Sequence, residues 1–228
     1  MKRLRIIGIV VVILMAGGLV IYLATPKEPS YGGRTVTAWL ADYEASFVTN
    51  ALKGQPRSPS PAMQASGRAV KEIGTNAIPT LLHLLKAKDS PIKIKLNSSL
   101  DGQHYIRFRF QTARQMQELA AHGFFLLGND AKSAVPALVQ FMQSQDSHQQ
   151  FLVLNSLLSI TDDQTVLRPL IIQSLHSSDQ GLQLLAAGQL NIAFPGDKEK
   201  IGFWIEKISH VSKVSTTSTV PSNPPTAK

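Results

Sequence analysis

Three stretches decide how this chain is read: "IPTLLHLLKAKDS" (Ile78–Ser90), "VPALVQFMQSQDS" (Val135–Ser147) and "RPLIIQSLHSSDQ" (Arg168–Gln180). Each sets a proline among large aliphatic residues, passes into a polar break, and places an aspartate ten positions after the proline, at Asp89, Asp146 and Asp179. Ahead of the first runs "ASGRAVKEIGTNA", where Ala65, Ala69, Val70 and Ile73 form an apolar stripe ending at Gly74. Ahead of the second runs "MQELAAHGFFLLGNDAKSA", where Leu119, Ala120, Phe124 and Leu127 end at Gly128. A glycine directly after a helical stripe ends the helix, because it adopts a positive φ without a Cβ penalty. Proline belongs in the first turn of the next helix, where its missing N–H costs nothing.

The unit is therefore a helix, a short turn, a proline-started helix and a polar turn whose aspartate caps the next helix. A third pair is "QQFLVLNSLLSI" with "VLRPLIIQSL", and a fourth, more degenerate, is "GLQLLAAGQLNIA" with "DKEKIGFWIEKI", where Lys200 stands in place of the proline. Pro136 and Pro169 are 33 residues apart, a spacing typical of stacked helical repeats. The expected fold is all-α, an N-terminal helix followed by about four helix pairs. The N-terminal helix carries Trp39, Leu40, Tyr43 and Phe47 on one face, with Thr37 as its N-cap.

These residues resemble those of HEAT-repeat proteins, and in particular a bacterial membrane-tethered type. That type has a "Y-G-G/K-R/K…W-L" opening segment (here Tyr31–Leu40) and an "A…IG…AIP.LL.LL" first repeat (here Ala69–Leu85). The resemblance spans about Tyr31 to His210 and implies a short right-handed solenoid. Its matching residues are structural, so it specifies fold far better than function.

The start of the chain bears on location. Residues 1–5, "MKRLR", precede "IIGIVVVILMAGGLVIYLA" (6–24), nineteen residues without a charge. As a helix this run is roughly 28 Å long, about the thickness of bilayer hydrocarbon. The basic residues before it predict a single-pass anchor in the inner (cytoplasmic) membrane, with the N-terminus inside and the rest extracytoplasmic or periplasmic. Cleavage after Gly18, giving a secreted protein, is the competing reading. Residues 25–35 read as a Pro/Gly linker, 36–210 as the repeat body, and 211–228 as a disordered tail with too little apolar surface to order itself.

One element breaks the repeat. Pro79 and Pro136 are 57 residues apart, and the excess is "SPIKIKLNSSLDGQHYIRFRFQTARQ", residues 90–115. From Lys86 to Arg114 there are seven basic residues against two acids, net +5. Ile92, Leu96 and Leu100 suit a helix, while "IKIKL" and "YIRFRF" alternate like hairpin strands. Lys93, Lys95, Arg107 and Arg109 are the candidate contacts to an acidic partner, with Tyr105 and Phe108 as apolar anchors.

No catalytic, cofactor-binding or metal-ligating set emerges. The chain has no cysteine, and none of its six histidines pairs with another histidine at helical spacing, so no H-E-x-x-H motif occurs. Asp162 and Asp163 fall in a turn, where aspartate serves local hydrogen bonding. The expected function is non-enzymatic: a membrane-anchored scaffold for a protein partner, an acidic envelope polymer or a lipid headgroup. Two rival functions use the same fold, a lyase-type enzyme and a binder of nucleic acid or acidic polymer. Nucleic acid conflicts with placement outside the cytoplasm.

Overall fold

The computed structural model describes residues 27–52, 59–91, 94–95, 111–143 and 146–217. The expected anchor (6–24) and the end of the expected tail (218–228) lie outside the described residues. Those described are almost wholly helical. Among them a two-residue antiparallel ladder, β1 (Ser30–Tyr31) with β2 (Arg34–Thr35), precedes ten α-helices. They are α1 (Val36–Leu52), α2 (Pro61–Ile73), α3 (Ile78–Leu85), α4 (Ala113–Leu127), α5 (Val135–Phe141) and α6 (Ser147–Ile160). They continue with α7 (Gln164–Leu175), α8 (Gln180–Ala187), α9 (Leu190–Ala193) and α10 (Lys198–Thr217). Among the described residues no helix is long and apolar enough to cross a membrane.

Residues 30–35 of the expected linker form the short ladder. Gly32 and Gly33, at φ 58° and 75°, form the turn with two positive φ angles that matches the twist of a two-residue hairpin. The hairpin is tied to α1: the Trp39 indole N–H donates to the Tyr31 carbonyl at 3.0 Å, and Arg34 reaches Asp42 at 2.6 Å. Thr37 is not the cap. Its N–H donates to Glu28 Oε1 at 2.6 Å, and the Thr35 hydroxyl accepts from the Ala38 N–H at 3.3 Å.

Gly74 and Gly128 end α2 and α4 at φ 61° and 52°, and each opens a short 3-10 turn leading straight into α3 or α5. Pro79 and Pro136 occupy the first turns of those helices. The third unit differs. Asp163 caps a helix that already starts at Gln164, leaving Pro169 in its interior. Pro169 and Thr165 are both exposed, so the Thr165 carbonyl that proline cannot bond faces water. In the fourth unit the first helix breaks at Gly188 and Gln189 into α8 and α9. The second, α10, continues to Thr217, into the segment expected to be a tail.

The aspartates act as expected, one of them at long range. Asp146 accepts from the N–H groups of His148 and Gln149 at 3.0 and 3.3 Å, and Asp179 from Leu182 at 2.8 Å. Asp89 accepts from the Ala113 N–H at 2.8 Å, across the whole insertion. A second device joins the units. The carbonyls six positions after each proline all accept a glutamine side-chain amide: Leu85 from Gln149 (2.7 Å), Met142 from Gln150 (3.0 Å) and Leu175 from Gln183 (3.1 Å). Helix C-terminal carbonyls lack intrahelical partners, and these glutamines supply them from a later unit.

Among the described residues, helix packing runs from unit to unit. Helix α1 lies on α2 and α4, α3 on α4, α4 on α6, α6 on α8, and α7 on α8 and α9. The core is one continuous cluster, in which Leu40, Leu81, Phe124, Leu138, Leu154 and Ile171 are fully buried, each worth about 1.5–3 kcal/mol of transfer free energy. Gly123 is central to it. A β-carbon there would overlap the Leu81 side chain and stand 3.3 Å from Leu40 Cδ1, so α4 approaches α3 and α1 only without one. Gly202 in α10 has open space around its Cβ position. The two alanine substitutions are therefore expected to act with opposite sign in denaturant titrations. Gly202→Ala gains stability by about 0.5–1 kcal/mol, and Gly123→Ala loses about 1–3 kcal/mol by overpacking.

Candidate functional site

The insertion leaves and rejoins the body at one place. Since Asp89 bonds to the Ala113 N–H at 2.8 Å, the excursion is closed at its base and spans residues 90–112. Ala113–Gln115, expected within it, form the first turn of α4. That turn is held by a capping box in which Thr112 accepts from the Gln115 N–H and Gln115 accepts from the Thr112 N–H. At the departing end, Pro91, Ile94 and Lys95 are helical, and the Ile94 N–H donates to the Ser90 carbonyl at 3.1 Å.

Of the candidate contacts, Lys95 is exposed on this departing turn. Lys93, Tyr105, Arg107, Phe108 and Arg109 lie outside the described residues. The base of the insertion opens onto a cleft of ≈ 630 Å³ between the end of α3 and the N-termini of α4 and α6. Lys88 and Arg114 flank it, His148 lines its far side, and its two carboxylates, Asp89 and Asp146, are engaged as helix caps. Gln117 and Gln149 form its floor, and their amides donate to the Ala87 and Leu85 carbonyls at 3.1 and 2.7 Å. These buried glutamines were invisible in the sequence, where they read as surface residues. The one local signal was their place three to five residues after a capping residue. Arg114 contacts Glu118 at 3.3 Å across one helical turn.

The cleft thus sets Lys88 and Arg114 beside two helix N-termini whose first N–H groups are already taken by Asp89, Thr112 and Asp146, so its own charges offset one another. Among the described residues no group of three or more histidine or acidic side chains is placed to hold a metal ion. The other capping aspartates are local: Asp163 is held below its usual carboxyl range by the Thr165 hydroxyl and N–H, and Asp197 by Lys200. No protein-family model, curated protein or solved structure matches this chain.

A titrating cluster lies further along α4, joined to the cleft through Glu118, which Arg114 and His148 reach at 3.3 and 3.5 Å. His122 packs at a tilt against Tyr43 and Phe47, ring centroids 5.5 and 5.9 Å apart, with its Nδ1 buried and unbonded. Burial lowers its pKa, opposed by the charge of Glu118, while burial and then Glu118 raise that of Glu44. A histidine whose folded pKa lies below its unfolded value of about 6.5 binds its proton first in the unfolded chain. Its contribution is therefore complete above about pH 6.5 and is lost as pH falls from there through the lower folded value. Compared with His122→Phe, the wild type is expected to lose melting temperature between about pH 7 and 5. A constant difference between the two proteins across that range would contradict this.

Two outcomes check the closed base. Replacing residues 90–111 with a short Gly/Ser loop is expected to preserve the helical circular-dichroism spectrum and a cooperative melt. Asp89→Ala in the intact chain is expected to cost about 1 kcal/mol, as loss of an N-cap does.

Proposed function

We propose that this chain is a non-enzymatic, membrane-anchored scaffold of the HEAT-repeat type. Its helix pairs stack as a short right-handed solenoid on the extracytoplasmic side, and the basic insertion presents the binding surface. The stacked reading is supported by the recurring prolines and capping aspartates, and by glutamine-to-carbonyl bonds that join the end of one helix pair to a later one. Residues 6–24 form the anchor in this proposal, supported by their length and by the basic residues ahead of them.

The observation that carries the functional half is the base of the insertion. A chain excursion closed by a 2.8 Å cap bond is mounted between Lys88 and Arg114, above two helix N-termini. A loop held this way presents its own basic residues next to the body, and an acidic protein surface is the partner that they would attract. Anionic lipid headgroups and acidic envelope polymers share that chemistry and compete in the same assay.

The test is affinity capture with the full chain from native membranes at graded salt, beside a variant in which Lys93, Lys95, Arg107 and Arg109 are all glutamine. Capture of a defined acidic partner, weakened by salt and lost in the variant, is expected. Equal capture by both proteins at every salt concentration would move the interaction off the insertion.

A further inference from the structure

A second surface, carrying Glu44 and Glu118, lies further along α4. Three helices contribute one stripe each to a groove of ≈ 470 Å³: α1 through Tyr43, Glu44, Phe47 and Val48, α4 through Glu118, Ala121, His122 and Phe125, and α6 through Phe151, Leu152 and Asn155. The α4 residues are spaced i, i+3, i+4 and i+7, two turns of a single face, about 10 Å long. The floor is apolar yet open: Phe47 is 50% exposed, Val48 48% and Phe125 54%.

Its position suggests the shape of what covers it. Helix α1 lies across α2 and α4 and buries Val36, Leu40 and Tyr43 there, so it fills the groove between those two helices. The next groove, between α4 and α6, has α1 as one wall and no helix over it among the described residues. A helix laid beside α1 would occupy it, as amphipathic helices occupy apolar grooves elsewhere.

Charge specifies the chemistry of that helix. Glu44 and Glu118 face this groove together, and burial and then the charge of Glu118 raise the cost of ionising Glu44. Glu118 has Arg114 and His148 within reach at 3.3 and 3.5 Å, whereas among the described residues no cation sits within ion-pair distance of Glu44. A lysine or arginine placed at Glu44 would relieve that repulsion while its neighbours cover the exposed phenylalanines.

We propose that the groove between α1, α4 and α6 docks an amphipathic helix of a protein partner, with Lys or Arg flanking its apolar stripe and meeting Glu44. The groove adjoins the cleft at the base of the insertion through Glu118, but the proposal does not depend on the role of the insertion.

The chain has no cysteine, so Val48→Cys in the full chain, held in lipid nanodiscs, takes a single environment-sensitive fluorophore at the groove. Two probe peptides of about 16 residues, long enough for a marginal helix, carry the same leucine stripe flanked by lysine in one and glutamate in the other. The lysine peptide is expected to blue-shift the label at about tenfold lower concentration than the glutamate peptide. Adding Glu44→Lys is expected to reverse that order in the same lipid, which separates the groove from the bilayer, and a label at Asn155→Cys is expected to repeat both results. An unchanged order in Glu44→Lys, or no response to the lysine peptide up to about 1 mM, would overturn the proposal. So would a blue shift without peptide, produced by raising the protein concentration (a second copy) or by added phosphatidylglycerol vesicles (a membrane surface).

Discussion

Gln149 and Gln150 are adjacent on α6, yet their amides bond to the ends of two different helices: Leu85 at the end of α3 and Met142 at the end of α5, at 2.7 and 3.0 Å. Gln149 and Leu85 are both buried, and losing one partner of such a bond costs about 1–3 kcal/mol. The pair fixes where α6 starts relative to everything before it. Asp146 caps the same turn, so cap and clasp act on one point. The cleft at the base of the insertion exists because this turn, the capped start of α4 and the end of α3 are held together there.

Distance along the chain separates the features that were legible in the sequence from those that were not. Gly74, Gly128, Asp146 and Asp179 were legible because a cap is a matter of one to four neighbouring residues. Asp89 was legible as a cap, but its partner, Ala113, was not, since the bond crosses the insertion. Gln117 and Gln149 were illegible: a glutamine in a helix is polar by type, and only the fold brings each beside a carbonyl 30 or 64 residues away. Pro169 misled for a related reason. The proline marks the first turn in two units, but in the third the Asp163 cap draws the helix start earlier, and solvent exposure makes an interior proline tolerable.

The two candidate surfaces were unequally legible too. The basic insertion was conspicuous because it interrupts a period and concentrates charge in a contiguous stretch. The acidic groove is assembled from three helices, and each contributes an ordinary-looking fragment. Phe47 reads as the last residue of a buried stripe, and Phe125 sits beside the stripe that buries Phe124. Their shared exposure emerges only when α1, α4 and α6 are placed side by side. A helix pair that cannot bury its apolar side alone needs a neighbour, and the same rule explains both the continuous core and the open groove.

Unit-to-unit stacking is the central claim, and hydrogen exchange on a Leu182→Ala variant tests it most directly. Leu182 is buried in α8, so the substitution opens a cavity in the last unit. Stacked units predict faster amide exchange in α8 to α10, a smaller change in α6 and α7, and unaltered protection in α1 to α4. Equal acceleration in every helix would mean a single globally cooperative core, and would contradict the stacked reading.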